Sequence, residues 1–249
     1  MPVFRSSILG LLAALSLAAH AGEVTVSAAA SLTNAFKDIV PLFESANPGA
    51  KVHLNFGASG ALLAQIAKGA PADVFVSADQ ETMDQAQAQG LVKPAQRRDV
   101  VSNTLVVIVP TAATKVPAAL ADLNQPGFAR IAIGLPASVP VGRYTKGVLE
   151  AANLWAPIEA KMIGASSVRQ ALDYVARGEV DAGFVYSTDA ALMPGKVKVA
   201  LTVATTQPIL YPVAPIAASA NLATAQRFVE FLGSPQAQAV LTKYGFGRP

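Results

Sequence analysis

Apolar and polar positions along the chain follow two periods, one of two residues and one of three to four. Short strand-like stretches lie at residues 23–28, 73–77 and 104–109. Residues 31–46 and 168–177 instead repeat apolar side chains at helical spacing. Strand-like and helix-like segments therefore alternate through most of the chain. This alternation predicts an α/β fold with a parallel-rich sheet and helices on both faces.

The same periodicities, together with turn and cap residues, predict the remaining elements. We expect further strands at 51–56, 130–134, 182–185, 197–203 and 211–217. We expect further helices at 60–68, 79–89, 142–153, 222–232 and 235–243. Pro41 lies inside the helix predicted at 31–46, where the missing N–H and the ring can kink a helix.

The alternation falls into two groups of elements, which we interpret as two βα lobes joined by two extended crossings. The crossings are expected near residues 101–105 and 205–212, with the C-terminal helices returning to the first lobe. The predicted division is therefore 22–102 plus 208–249 for lobe 1 and 103–207 for lobe 2.

The N-terminus has the pattern of a secretory signal. Arg5 precedes an apolar run at 8–19, and Ala-His-Ala at 19–21 fits a small-x-small cleavage site. The run is too short to span a bilayer. We therefore expect residues 1–21 to be a signal peptide and the mature protein to lie in the periplasm.

Composition narrows the function classes. Hydrophobic residues make up 52% of the 249 residues, which is enough to build a core. The net charge is +3, and the sequence has no run of basic residues that would indicate nucleic-acid binding. The chain has no cysteine, which excludes thiolate metal sites, thiol nucleophiles and a lipidated cysteine anchor. His53 would be the one histidine left after cleavage, too few for a histidine-rich metal site.

Two strand-to-helix junctions carry the main candidate chemistry. Ser31 follows three alanines, and Ser59 lies in the small-residue tract GASG at 57–60. Each serine is placed at a predicted helix start, where backbone N–H groups are free and the helix dipole is positive. Two such starts favour a site that holds an anion without cationic side chains.

Three further segments could contribute to the same site. The stiff loop GLPASVPVGRY at 134–144 could present the N–H of Val141, and the helix start in ASSVRQAL could present that of Val168. Tyr186 ends an apolar strand, and ligands of α/β sheets bind at the carboxyl ends of strands. Arg169 is expected beside the apolar stripe of its helix, solvated or salt-bridged rather than in the site.

A serine hydrolase is an alternative interpretation of GASG. A nucleophile elbow requires glycine two residues after the serine, and Ala61 occupies that position. His53 lies on the strand that leads into the loop, where it is poorly placed to reach Ser59. Ordinary helix capping also remains open for each serine taken alone.

Taken together, the segments resemble the periplasmic molybdate-binding proteins of ABC importers. The resemblance covers nearly the whole mature chain and is carried by AAASLTNAF (28–36), GAPADVFVSAD (69–79), VPVGRY (139–144), VRQAL (168–172), VYSTDA (185–190), YPVA (211–214) and KYGF (243–246). It implies a type II periplasmic binding protein fold, with two βα lobes around a ligand cleft. This sequence has Gly60 where a further serine can occur in relatives, and Val141 where alanine can occur.

The resemblance also implies the function and its residues. The oxyanion would be bound by Ser31, Ser59, Val141, Val168 and Tyr186, with no direct cation ligand. We expect a monomeric, non-enzymatic protein without a cofactor that captures molybdate or tungstate and delivers it to an ABC-type membrane permease. The alternative is a protein of the same fold that binds another tetrahedral oxyanion, such as sulfate, thiosulfate or phosphate.

Overall fold

The computed structural model describes residues 22–249. The predicted signal peptide at 1–21 lies outside the described residues. The strands are β1 (Glu23–Ala29), β2 (Lys51–Gly57), β3 (Val74–Val76), β4 (Arg98–Asn103), β5 (Leu105–Pro110), β6 (Ile131–Gly134), β7 (Met162–Ala165), β8 (Ala182–Tyr186), β9 (Val197–Val203) and β10 (Ile209–Pro215).

The helices alternate with these strands, as the sequence predicts. The α-helices are α1 (Thr33–Ala46), α2 (Ser59–Ala67), α3 (Gln80–Ala88), α4 (Pro140–Ala151), α5 (Trp155–Glu159), α6 (Val168–Ala176), α7 (Ser187–Ala190), α8 (Leu222–Phe231) and α9 (Pro235–Lys243). Short 3-10 helices occupy Ala30–Leu32, Pro94–Gln96 and Leu120–Asn124. None of the helices within 22–249 is both long and apolar enough to cross a membrane.

The strands form two five-stranded sheets, each the centre of one lobe. The first sheet has the order β2-β1-β3-β10-β4 and the second the order β7-β6-β8-β5-β9. Within the first sheet β1 is parallel to β2 and β3, whereas β10 is antiparallel to β3 and β4. The second sheet repeats this plan, with β6 parallel to β7 and β8, and β5 antiparallel to β8 and β9. The chain therefore passes between the sheets twice, from β4 to β5 and from β9 to β10.

We use lobe 1 for β1–β4 and β10 with α1–α3, α8 and α9, and lobe 2 for β5–β9 with α4–α7. Phe36 and Phe43 of α1 are fully buried, and their rings meet Phe228 of α8 edge to face at 6.1 and 5.1 Å. The apolar stripe of α6 is buried in the same way against the second sheet. Burial of these amphipathic faces fixes the helix starts relative to the strand ends.

The structure differs from the predicted elements at a few places. The helix predicted at 142–153 begins two residues earlier, at Pro140, because proline fits the first helical position. The extended crossing predicted near 101–105 consists of the end of β4 and the start of β5. Pro41 lies within one continuous helix, α1.

Candidate functional site

A cavity lies between the two lobes, where strand ends and helix starts of both sheets meet. The cavity is small: the space open to the centre of a water-sized sphere is about 10 Å³. The residues that line it are all uncharged: Ala29, Ala30, Ser31, Gly57, Ala58, Ser59, Ala78, Val139, Pro140, Val141, Val168 and Tyr186. All five residues predicted from the sequence to form one site are among them.

Lobe 1 contributes two buried serines. Ser31 lies in the 3-10 turn between β1 and α1 and is 4% exposed, and Ser59 is the first residue of α2 and fully buried. The hydroxyl oxygen of Ser59 accepts a hydrogen bond from the N–H of Ala78 at 3.0 Å. Because that bond occupies an oxygen lone pair, the hydroxyl proton of Ser59 remains free to donate into the cavity.

Lobe 2 contributes two helix starts. Val141 is the second residue of α4, after the helix-favouring Pro140, and Val168 is the first residue of α6. The first N–H groups of a helix have no acceptor within the helix. Within residues 22–249, no loop carbonyl or side chain accepts a bond from the N–H of Ser59, Val141 or Val168. These N–H groups are therefore available to an anion.

Tyr186 completes the lining at the carboxyl end of β8. Its side chain is 1% exposed, and its hydroxyl has no hydrogen-bond partner among the described residues. A buried polar atom without a partner costs free energy unless something in the cavity satisfies it. Burial, with neighbouring phenols and carboxylates, raises the pKa of Tyr186 well above its ordinary value. The hydroxyl therefore stays protonated and can act as a donor at neutral pH.

Contacts between the lobes surround the cavity. The N–H of Gly60 donates to the carbonyl of Ser138 at 3.0 Å, which joins the start of α2 to the loop before α4. A side chain on Gly60 would lie 2.8 Å from that carbonyl oxygen, so the glycine permits the approach. On another side Arg143 of α4 donates to the carboxylate of Asp79, in front of α3, at 2.7 Å. The lobes are thus held together in this arrangement.

Arg169 is salt-bridged, one of the two states expected from the sequence, and it also reaches across to lobe 1. Its guanidinium bonds Asp189 at 2.5 Å, Asn34 at 2.8 Å and the backbone carbonyl of Ser31 at 3.0 Å. Asp189 is fully buried, and burial raises its pKa to about 6 although Arg169 opposes the shift. Arg169 does not line the cavity, and its charge is compensated by a carboxylate.

Two residues behind the cavity were missed by sequence reasoning. Tyr211 of β10 is fully buried, and its hydroxyl lies 2.9 Å from that of Ser31. Asn103, at the end of β4, donates to the Tyr211 hydroxyl at 3.1 Å. The motif YPVA contains Tyr211, but nothing local in the sequence indicates that it pairs with a serine 180 residues away.

The described residues offer little support for the two alternatives, a metal site and a serine hydrolase. In the described part of the chain no group of three or more His, Cys, Asp or Glu side chains could hold a metal ion. His53 is exposed and contacts Glu23 at 3.3 Å, on the surface. The serine hydrolase interpretation needs a base that accepts the Ser59 proton, and among the described residues the recorded hydrogen-bond partner of that hydroxyl is a donor, the N–H of Ala78.

Comparisons with known proteins identify the family to which the chain belongs. The model of a family described as bacterial extracellular solute-binding protein matches residues 24–247. The chain is 37% identical over 250 residues to the molybdate-binding protein ModA of Escherichia coli (strain K12), covering 98% of this chain and 96% of that protein.

Solved structures show the same architecture. The periplasmic molybdate-binding protein of Azotobacter vinelandii superposes with a TM-score of 0.77 at 26% identity, covering 91% of this chain and 99% of that one. The sulfate-binding protein SubI of Mycobacterium tuberculosis H37Rv superposes with a TM-score of 0.80 at 21% identity, covering 90% and 86%, a likeness of fold alone. The predicted two-lobed α/β fold of periplasmic binding proteins is confirmed.

Proposed function

The chain belongs to the bacterial extracellular solute-binding proteins, and from this premise we propose that it captures molybdate or tungstate in the periplasm for an ABC-type permease. Its relatives are binding proteins rather than enzymes. The role proposed here is accordingly capture and delivery, without catalysis and without a cofactor.

The observation that carries the proposal is the buried Tyr186 hydroxyl, which lines an uncharged cavity and has no partner among the described residues. Helix starts on the other sides of the cavity supply N–H donors. Ser31 and Ser59 can each offer a hydroxyl and an N–H, and Val141, Val168 and Tyr186 one donor each, which makes seven. A cavity lined by donors from several directions suits a tetrahedral oxyanion.

The donors are sufficient to hold a dianion. A hydrogen bond to a charged group contributes roughly 1.5–3 kcal/mol, so seven such bonds sum to about 10–20 kcal/mol before other terms. Desolvation of the anion and ordering of the two lobes oppose this sum. The remainder is compatible with a dissociation constant in the micromolar to nanomolar range.

Size is the proposed basis of selectivity. Sulfate has the charge and shape of molybdate but shorter bonds to oxygen. Backbone donors at helix starts are fixed by the packing of their helices and cannot follow a smaller ion inward. Sulfate would therefore leave several donors with long, weak hydrogen bonds.

Delivery requires that the permease distinguish loaded from empty protein. We propose that the lobes divide at the two crossings between the sheets, close to the predicted divisions at 102/103 and 207/208, and that they close on the anion. A monomer that closes in this way presents a composite surface formed by both lobes, which the permease would recognise.

Titration calorimetry with molybdate, tungstate, sulfate and phosphate tests the proposal. We expect tight binding of the first two anions and binding of sulfate and phosphate weaker by at least about 100-fold. Tyr186→Phe should weaken molybdate binding about 10- to 100-fold, since it deletes one charge-assisted bond. Tyr244→Phe is the matched control, because that hydroxyl bonds Asp38 on the surface. Tight sulfate or phosphate binding with no response to molybdate would establish the alternative oxyanion instead.

A further inference from the structure

The two lobes meet backbone to backbone at one point beside the cavity. The N–H of Gly60 in α2 donates to the carbonyl of Ser138, in the loop before α4, at 3.0 Å. Away from the crossings, this is the one backbone–backbone hydrogen bond between the lobes within residues 22–249. The residues next to it in sequence, Ser59 and Val139, both line the cavity. The contact therefore lies directly at the cavity wall.

The contact leaves no space for a side chain on Gly60. A Cβ there would lie 2.8 Å from the carbonyl oxygen of Ser138, 2.9 Å from its Cα and 3.2 Å from its carbonyl carbon. All three atoms belong to the backbone, so no change of rotamer can move them away. The φ of Gly60 is not positive, so an alanine would fit the helix itself. The approach of lobe 2, rather than the fold of lobe 1, therefore requires the glycine.

The loop that carries Ser138 is held firmly to the rest of lobe 2. The N–H groups of Ser138 and Val139 both donate to the carbonyl of Leu135, at 3.0 and 2.8 Å. The N–H of Leu135 is itself bonded to the end of β7 at 2.8 Å. Arg143 donates to the carbonyl of Pro136 at 3.1 Å. The loop cannot retreat from lobe 1 without breaking some of these bonds.

Helix α2 is equally fixed to lobe 1, because Leu62, Leu63 and Ile66 are buried in an apolar cluster of that lobe. Gly60 is the second residue of α2, so its N–H has no acceptor within the helix. That N–H crosses to lobe 2, whereas the N–H of Ser59 has no recorded acceptor among the described residues. Two rigid backbones therefore meet at Gly60, one residue away from a serine that lines the cavity.

We propose that Gly60 is a positioning residue that sets where closure of the lobes stops, and with it the distance between the anion donors of the two lobes. The proposal rests on the proposed oxyanion-binding function. Arg143 and Arg169 also make contacts across the cleft, but their long side chains can follow a small shift by rotating. The backbone contact between Gly60 and Ser138 cannot adapt in this way.

A single methyl group at position 60 tests the proposal. Ordinary contact begins at 3.4 Å, so Gly60→Ala must keep the two backbones about 0.6 Å farther apart when the lobes close. A hydrogen bond of about 2.9 Å across the cleft would then lengthen to about 3.5 Å, beyond the usual limit of about 3.2 Å. The N–H of Val141, three residues after Ser138, would no longer reach an anion seated on lobe 1. We expect molybdate to bind about 10- to 100-fold more weakly, which corresponds to the loss of one charge-assisted bond.

Two further readouts separate a limit to closure from damage inside lobe 1. The clash arises only when the lobes approach, so ligand-free Gly60→Ala should melt at or slightly above the wild-type temperature, since alanine favours a helix. The weaker binding should appear in the dissociation rate, because closure retains an anion that has already entered, and the association rate should change little. Release of labelled molybdate into an excess of unlabelled molybdate measures the dissociation rate, and calorimetry measures the affinity.

A second variant and a control accompany Gly60→Ala. Gly60→Ser places its Cβ at the same position and should weaken binding at least as much. Gly147→Ala is the matched control, because a Cβ at that position in α4 meets nothing within 4 Å. It should keep the wild-type affinity and the wild-type rate of release.

The outcomes separate this proposal from the proposed function. Wild-type affinity and release in folded Gly60→Ala and Gly60→Ser overturn the role of Gly60 and leave the function standing. Weaker binding that comes with a lower Tm of the ligand-free variants, or that lies in the association rate, also overturns it, because the damage then lies inside lobe 1. Absence of molybdate binding in the wild-type protein refutes the function itself.

Discussion

Replacing Gly142 by alanine should damage both the stability of lobe 2 and its contribution to the cavity. Gly142 is the third residue of α4, directly after Val141, which lines the cavity and whose N–H has no recorded acceptor among the described residues. A Cβ at this position would lie 1.9 Å from the carbonyl oxygen of Gly134 and 2.6 Å from its carbonyl carbon. Both atoms belong to the backbone at the end of β6, so no side-chain rotation can relieve the clash.

The size of the effect follows from this geometry. Real Cβ atoms essentially never lie within 3.0 Å of such neighbours, so α4 must move away from β6 by about 1 Å. Overpacking of a rigid interior costs typically 1–3 kcal/mol, and this backbone clash belongs at the upper end. For a chain of this size, about 3 kcal/mol corresponds to a Tm lower by roughly 6–12 °C. The displaced Val141 N–H should also weaken molybdate binding by about tenfold or more.

Gly147 of the same helix provides the matched control, because an added Cβ there meets nothing within 4 Å. Gly147→Ala should raise stability by up to about 1 kcal/mol through helix propensity and leave affinity unchanged. Calorimetric melts and molybdate titrations of both variants are the assay. A Gly142→Ala protein with wild-type Tm and wild-type affinity would refute the argument that backbone contact between α4 and β6 positions the Val141 N–H.

Three further predictions concern side chains around the cavity. Ser59→Ala should weaken molybdate binding about 10- to 100-fold, whereas Ser167→Ala, which removes the cap of α6, should cost about 1 kcal/mol of stability with little loss of affinity. Equal losses of affinity in the two variants would contradict the assignment of Ser59 to the binding site. The pKa of Asp189 is about 6 in the folded protein and about 4 in the unfolded chain, so the contribution of Asp189 to stability should fall as the pH rises from about 4 to about 6. Measurements of Tm against pH should show this decrease in the wild-type protein and not in Asp189→Asn. Arg143→Ala removes the partner of Asp79 across the cleft, so molybdate affinity should fall about tenfold and X-ray scattering should show less compaction on binding. Unchanged compaction would exclude a role for this ion pair in closing the lobes.

The sequence predicts most of the helices and strands because each buries either a continuous apolar run or one apolar face. The buried strands β5 and β8 are continuous apolar runs, and α1 and α6 have clear apolar stripes. The strands that pattern reasoning missed, β4 and β7, have exposed positions and lie at the edges of their sheets. Pairing with a neighbour from a distant part of the chain, rather than local periodicity, makes them strands.

The cavity lining was predictable for a different reason. Ser31 and Ser59 stand at junctions that local rules identify as helix starts. Local patterns also offered Val141, Val168 and Tyr186 as candidates, and the family resemblance joined all five residues into one site. Their binding role stays a prediction. The polar layer behind them was not predictable, because the contact between Tyr211 and Ser31 depends on the relative placement of β10 and β1 in one sheet. The contacts of Arg169 were not predictable either, because local periodicity allowed this side chain to be either solvated or salt-bridged.

Charge compensation around the cavity explains how such a site could both bind and release its anion. The nearby arginines Arg143 and Arg169 are each paired with a buried carboxylate, so neither supplies a net charge to the cavity. Attraction then depends on directional donors at helix starts, whose effect falls off within a turn of the helix. Because these donors are divided between the lobes, opening the cleft leaves the anion with only part of them and exposes it to water. A lysine or arginine in the cavity would keep its attraction in either state, and opening would release the anion less readily.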